Sequence, residues 1–292
     1  MNVIVLFNGL GNQMSQYAFY LNMKQIENKT YILNFCNSDH NGFELSNVFG
    51  IKIKRDFNVF FLNLIFRILL TPRLPFLFVP IQRSLNFLNI RIIKENFDYS
   101  FKSDYLKPTK GIVFYYGGWH HENYFIVIKN RLIKTFNFDQ TKVNNILELE
   151  KSIKGTQSVG LHVRRGDFLN DDNINLFGGV CTMDYFTKAI EFINKKVDSP
   201  HFFVFSNDFE WVKDNIVVDN FTYVTCNSGK DSWKDMYLMS ICKHNIISNS
   251  TFSWWSAWLN TNEDKIVVSP DRFLKNNLLS DIYPEKWYKI KL

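Results

Sequence analysis

The sequence predicts an α/β protein in which parallel strands are covered by helices. Three observations lead there. Short β-rich runs alternate with amphipathic helical stretches at both ends of the chain. The glycine-rich and hydroxyl-rich segments fall just after those runs. A length of 292 residues suits two domains or one large one. Such alternation implies parallel pairing, because a crossover helix carries the chain back to the same end of the sheet.

Residues 2–7 (NVIVLF) form the first strand, followed by a turn with two glycines. From Asn12 the apolar residues Met14, Tyr17, Ala18 and Leu21 recur at helical spacing. Residues 30–35 are the next strand, and residues 45–110 are poorly patterned. Within them residues 59–81 are strongly apolar, but Arg67, Pro72, Arg73, Pro75 and Pro80 interrupt the run. A membrane-spanning helix needs about 20 mostly apolar residues without such breaks. The stretch reads as a short helix ending near Leu70, then an irregular proline-rich connection. The helix either packs on its own domain, the commoner use of an apolar face, or rests on a membrane surface with its arginines.

Beyond Lys151 the rhythm is clear. Strands are expected at residues 158–163, 202–205, 221–225, 245–247 and 265–269. Helices are expected at 183–196, 209–215, 232–243 and 251–259. In the first of these helices Tyr185, Phe186, Ala189, Ile190 and Ile193 share one face. The expected division is therefore residues 1–150 and residues 151–292. Ligands of such sheets bind beyond the carboxyl ends of the strands.

Composition narrows the function classes. With 46% hydrophobic and 21% charged residues, the chain is no disordered segment. The four cysteines, Cys36, Cys181, Cys226 and Cys242, make no Cys-x-x-Cys pair, so neither a zinc ribbon nor a redox motif is offered. Met1 runs straight into a strand with no secretory leader, so a cytoplasmic setting and free thiols are expected. The net charge of +6 lies in the first half, where residues 1–150 hold 17 basic and 11 acidic residues. Such a patch suits an anionic partner, or is simply a solvated basic surface.

Four segments sit at expected strand ends. In Asn8-Gly9-Leu10-Gly11-Asn12-Gln13 the glycines allow close backbone approach and the following helix offers free N–H groups. It is no dinucleotide fingerprint, because Met14 stands where the third glycine belongs. In His162-Val163-Arg164-Arg165-Gly166-Asp167 two arginines crowd one strand end, which is costly without an anion, and a guanidinium can hold phosphate oxygens in pairs. The plainer reading is an Arg165–Asp167 surface pair with His162 in the core. Phe205-Ser206-Asn207-Asp208 places a carboxylate that either receives a guanine edge or caps the next helix, and capping is favoured. In Asn249-Ser250-Thr251-Phe252-Ser253-Trp254-Trp255 the hydroxyls flank a helix start, an arrangement for phosphate or for capping, while the tryptophans are expected to pack. A further stretch, residues 115–122 (YYGGWHHE), sets aromatics beside glycines. It suits a sugar platform or a core-edge strand.

Taken together these segments resemble the bacterial α-1,2-fucosyltransferases of glycosyltransferase family 11. The matching pieces are FNGLGNQMSQYAFY at 7–20, YYGGW at 115–119, HVRRGD at 162–167, FVFSND at 203–208 and ISNSTFSWWSAWL at 247–259. The resemblance implies a GT-B-like architecture of two Rossmann-like domains facing a central cleft. The first domain would lie mainly on the acceptor side and the second would bind the donor. It implies GDP-fucose as donor, a terminal β-galactoside, free or lipid-linked, as acceptor, inversion at the anomeric carbon, no cofactor and no metal. It gives nucleic acid no role and leaves peripheral contact with the inner face of a bacterial membrane open. Arg164 would bind the β-phosphate with help from Arg165, and His162 and Asp208 the guanine end. Ser250, Thr251 and Ser253 would lie near the pyrophosphate, with Gly9, Gly11, Asn12 and Gln13 facing fucose and phosphates from across the cleft. Trp119 and His120 are the candidate acceptor contacts. Asp167 is the candidate catalytic base, with Asp171 and Asp172 as neighbours. A fucosyltransferase of another linkage, an oxidoreductase using the glycine turn with Asp39 on a ribose, and a non-catalytic glycan-binding protein remain as alternatives.

Overall fold

The computed structural model describes all residues except 38–40, 55, 71–86, 97, 172 and 276–281. The chain divides into two compact units, Met1–Phe136 and Asn137–Leu292, each built on its own parallel sheet.

In the first unit the elements run β1 (Asn2–Leu6), α1 (Leu10–Ile26), β2 (Thr30–Asn34), α2 (Glu44–Phe49), α3 (Phe57–Leu70), β3 (Ile90–Lys94), β4 (Ile112–Tyr116) and α4 (Lys129–Thr135). The sheet order is β2-β1-β4-β3 with every pairing parallel. All five residues of β1 are buried, which is why Val3, Ile4, Val5 and Leu6 make a continuous apolar run rather than an alternation. On α3, Leu62, Ile65 and Phe66 face the core with Val3, Val5, Leu33 and Phe114. The Phe66 ring stacks on Phe114 at 5.2 Å and meets Phe35 edge-on at 5.0 Å. The helix thus ends at Leu70 as expected and packs on its own unit. Its other face is also apolar and stays open, with Phe57 80% and Phe60 70% exposed beside Phe61, Leu64 and Ile68. The proline-rich connection and Asp39 lie outside the described residues. No helix among the described residues is long and apolar enough to cross a membrane.

The second unit runs α5 (Leu147–Gly155), β5 (Gln157–Val163), α6 (Met183–Lys196), β6 (Pro200–Ser206), α7 (Phe209–Asn215), β7 (Phe221–Tyr223), α8 (Trp233–Ile241), β8 (His244–Ile246), α9 (Thr251–Leu259), β9 (Val267–Pro270) and β10 (Tyr288–Ile290). Its sheet order is β10-β9-β8-β5-β6-β7, again parallel throughout. The five residues expected on one face of α6 are all buried against β5 and its neighbours. Trp254, Trp255 and Trp258 are buried too, and Trp254 Nε1 donates to the Ile282 carbonyl. The unit begins at Asn137, earlier than the expected residue 151. Phe138 stacks on Trp233, Lys234 Nζ donates to Asn145 Oδ1, and Tyr237 donates to Gln140, so residues 137–155 are tied to α8. All four cysteines are free thiols.

Candidate functional site

In the second unit the chain leaves β5 for β6 and β7 on one side, then crosses to β8 on the other. The crevice between the carboxyl ends of β5 and β8 is therefore the topological switch point, where this architecture binds ligands. Three of the four sequence segments arrive on the adjacent strand ends β8, β5 and β6. The arginines follow β5, Asn207 and Asp208 follow β6, and the hydroxyl cluster follows β8.

The arginines are held differently from the Arg165–Asp167 surface pair of the plainer reading. A 3-10 turn at Gly166–Leu169 brings Asp167 back under Arg164 instead. Arg164 Nη2 donates to Asp167 Oδ2 at 2.9 Å. Its Nε lies 2.8 Å from Oδ1 in a charge contact without hydrogen-bond alignment. Both side chains are about one-third exposed, so the pair's value is orientation, and its contribution to stability is about 1 kcal/mol or less. Arg165 pairs with Asp208 Oδ2 at 3.3 Å and lies over the Trp211 ring at 4.1 Å. The backbone is fixed as well. Arg164 N–H donates to Ser248 Oγ, and Arg165 and Gly166 N–H both donate to Asn207 Oδ1. Asn207 Nδ2 returns to Asp167 Oδ1.

Asp208 caps α7 by accepting from Trp211 N–H, so the favoured capping reading holds while its other oxygen holds Arg165. Ser250 caps α9 through Phe252 N–H, and Ser253 Oγ donates to the Ser250 carbonyl. Thr251 opens that helix. His162 is buried, 5.9 Å from the Phe252 ring, and its Nδ1 is enclosed without a hydrogen-bond partner among the described residues. Burial, and secondarily the Arg164 charge, push its pKa down to about 3, so the ring is neutral at physiological pH. Asp171 is exposed, and Asp172 lies outside the described residues.

In the first unit the glycine turn joins β1 to α1. The left-handed residue there is Asn8, at φ 62°, while Gly9 is extended and caps the helix without a side-chain bond. Gly11 is buried in the first turn of α1 and Asn12 is half-buried beside it. Gln13 is committed to structure. Its amide donates to the carbonyls of Asn8 and Gly42, and its oxygen accepts from Glu44 and Leu45 N–H. Trp119 is fully buried, stacked on Phe19 at 4.5 Å with Tyr105 against its edge. His120 is 3% exposed, bonds Ser15 Oγ through Nδ1, and is pushed down to about 3 by burial. Both pack within the turn after β4.

Sequence reasoning missed Ser248, Asn207 as a brace, Gln16 and Glu95. Gln16 links the two inner strand ends of this sheet, accepting from Phe7 N–H and donating to the Gly117 carbonyl. The available signals were polar residues immediately past a strand, as in IISNST and IRIIKE. Among the described residues no three His, Cys, Asp or Glu side chains gather into a metal cluster.

Two parallel sheets covered by helices, with polar segments at the strand ends, give a fold of the GT-B-like type. The solved structure of NodZ α-1,6-fucosyltransferase soaked with GDP-fucose superposes with a TM-score of 0.52, covering 88% of this chain and 91% of that one at 14% identity. The sequence then places the chain further: residues 84–291 match the model for glycosyl transferase family 11, and the chain belongs to that family. Two Escherichia coli relatives align along their whole length. The O-antigen biosynthesis glycosyltransferase WbnK is 32% identical over 98% of this chain and 99% of its own. An alpha-1,2-colitosyltransferase is 31% identical over all of both chains. Human galactoside alpha-(1,2)-fucosyltransferase 1 is 35% identical over 35% of this chain and 28% of its own.

Proposed function

We propose that this enzyme transfers L-fucose from GDP-fucose to the 2-hydroxyl of a terminal β-galactose, with inversion and without a metal ion. The observation that carries the reading is Arg164, fixed at the β5–β8 switch point by Ser248 and Asp167. As the fucose–phosphate bond breaks, negative charge grows on the β-phosphate and the sugar becomes oxocarbenium-like. A guanidinium already oriented there stabilises that charge without reorganising, and such a donor contributes about 10²–10³ in rate. The Asp167 carboxylate takes only one side of the guanidinium fork, leaving the other to phosphate oxygens. Neutral His162, with Nδ1 unpartnered among the described residues, suits a purine edge. The start of α9, with Ser250, Thr251 and Ser253, suits the diphosphate. The acceptor hydroxyl attacks the opposite face of the sugar and loses its proton to a carboxylate or to solvent. Asp167, engaged by Arg164 and Asn207, serves first to hold the guanidinium.

The full-length relative named a colitosyltransferase supports a second reading, in which the donor sugar is colitose, fucose without its 3-hydroxyl. One assay separates them. The protein is incubated with each GDP-sugar and a panel of galactosides in EDTA, and the linkage is read by NMR. An α-1,2-fucosylated galactoside is expected. Transfer of colitose alone selects the second reading, and dependence on a divalent ion rejects the mechanism.

The open apolar face of α3 supports a peripheral seat on an anionic membrane. Phe57, Phe60, Phe61, Leu64 and Ile68 would enter the interface, and exposed Lys52, Lys54 and Arg67 would meet lipid headgroups. That seat would bring the enzyme to lipid-linked acceptors at the cytoplasmic face.

A further inference from the structure

We infer that Glu95 is a binding residue for the acceptor sugar, its free oxygen receiving the hydrogen bond of one acceptor hydroxyl. This rests on the transferase reading above and adds the residue of the first unit that recognises the acceptor. Glu95 directly follows β3, at the ligand-binding end of the sheet, and its N–H donates to the Tyr116 carbonyl. One carboxylate oxygen, Oε2, accepts from Gly118 N–H at 2.7 Å and from Trp119 N–H at 2.8 Å. The other, Oε1, is enclosed and has no hydrogen-bond partner among the described residues. A carboxylate offers about four acceptor positions, and only those of one oxygen are used. An enclosed oxygen left in that state is an exception that calls for a partner.

The surrounding backbone is built to keep it there. A Cβ on Gly117 would lie 2.4 Å from Glu95 Cβ, and one on Gly118 would lie 2.2 Å from His120 Nε2, so this turn closes only without side chains. Two aromatic residues beside Glu95 adopt left-handed backbone conformations, Tyr99 at φ 51° and Trp119 at φ 55°. L-residues with bulky side chains rarely do so, and strain of this kind gathers where a ligand is held. The chemistry also selects the ligand class. A carboxylate repels a diphosphate, and no cluster of metal-ligating side chains surrounds it among the described residues. A neutral hydroxyl donor fits.

The groups facing Glu95 set its charge. Burial is the largest influence and pushes its pKa up to about 7, opposed by the two backbone N–H groups and Lys102 and reinforced by Asp98. Tyr99, pushed up to about 12, and His120, held down near 3, are neutral across this range. Above pH 7 the carboxylate accepts a charge-assisted hydrogen bond from the sugar; below it, the bond weakens.

The test is steady-state transfer by the full chain and by Glu95→Gln between pH 5.5 and 8.5. Glutamine keeps an oxygen for Gly118 and Trp119 but puts an NH₂ where Oε1 stands. The acceptor KM should rise about tenfold, the loss of one such bond, while the donor KM stays within about twofold. The wild-type acceptor KM should fall as pH rises through 7, and the variant's should not. An unchanged acceptor KM, or equal changes for donor and acceptor, overturns the inference. If the variant does not fold, a wild-type acceptor KM that ignores pH overturns it alone. Wild-type protein that hydrolyses the donor but fucosylates no galactoside would instead sink the transferase reading, and this inference with it.

Discussion

Ser248 and His162 meet across two neighbouring strands. Ser248 Oγ donates to the His162 carbonyl at 2.6 Å and accepts Arg164 N–H at 3.1 Å. The regular β5–β8 pairing stops at Leu161 and Ile246, so this hydroxyl continues the ladder for the residue that carries the guanidinium. Ser248→Ala leaves a buried carbonyl and an N–H without their partner, at a cost of about 1–3 kcal/mol. The melting temperature should drop, and kcat should fall more than GDP affinity, because the arginine loses its placement rather than its charge. A kcat equal to wild type at a temperature where the variant is folded would contradict this role.

Arg164→Ala should lower kcat about 10²–10³-fold with the fold intact. Arg164→Lys tests geometry separately, since a lysine keeps the charge but cannot present a planar fork to Asp167 and phosphate together. Circular dichroism and single-turnover transfer check both. A lysine variant with wild-type turnover would mean that charge alone suffices.

The second unit was largely legible in the sequence; in the first, β1, α1, β2 and the end of α3 were legible, while α2, β3 and α4 were not, for a physical reason. Around β5, β6 and β8 short apolar strands are bounded by polar residues and separated by helices of clear period, so pattern and structure coincide. The small edge strand β10 carries too few residues for a pattern to show. In the first unit α3 is apolar on both its packed and its open face, so the sequence showed a helix ending near Leu70 but not which face packs on the unit. The site was legible as residues but not as pairs. Asp167 meets Arg164 rather than Arg165, the partner of the plainer reading, because a 3-10 turn, which no periodicity announces, follows the strand. Glu95 was invisible because its meaning depends on a turn that is 23 residues distant in sequence.

Gln13 anchors the start of α2 to the turn after β1. Gln13→Leu removes four hydrogen bonds, two to carbonyls and two to N–H groups. A loss of about 2–4 kcal/mol is expected, since several backbone groups are left underused at once. Urea unfolding should show the loss, while GDP binding to the folded variant should survive. Lost GDP binding in a fully folded variant would give Gln13 a direct donor role.

Phe57→Ser with Phe60→Ser removes two of the most exposed aromatic rings of α3 without touching Leu62, Ile65 or Phe66 in the core. Flotation with vesicles containing anionic lipid should bind the wild type and lose the double variant, and added salt should weaken binding. Equal flotation of both proteins would remove the membrane role. A change from dimer to monomer without any lipid binding would assign the face to a second copy.

The acid limb of stability offers the last test. His162 is buried and its folded pKa is held near 3, against an ordinary 6.5 in the unfolded chain. Between those values the unfolded chain binds a proton that the folded chain refuses. The contribution of this site is fully present above pH 6.5 and is lost progressively as pH falls toward 3, by about 1.4 kcal/mol per pH unit. His120 acts in the same direction in the first unit. Glu95, raised to about 7 from an ordinary 4.5, has the opposite slope, losing stability as pH rises from 4.5 to 7. Asp235, also raised to about 7 by burial, opposes His162 within the second unit. The terms offset one another from about pH 4.5 to 6.5; below that Glu95 drops out, and Asp235, whose ordinary value is 3.8, opposes only one of the two histidines until it too drops out. Urea midpoints should therefore change little across that window and fall steeply below it. His162→Asn, neutral at every pH, should flatten the steep limb by one proton's slope, measured as the difference between the two midpoint curves. Parallel curves for the two proteins below pH 4.5 would show that His162 is protonated in the folded state, contradicting the neutral ring on which the proposal that it meets a purine edge depends.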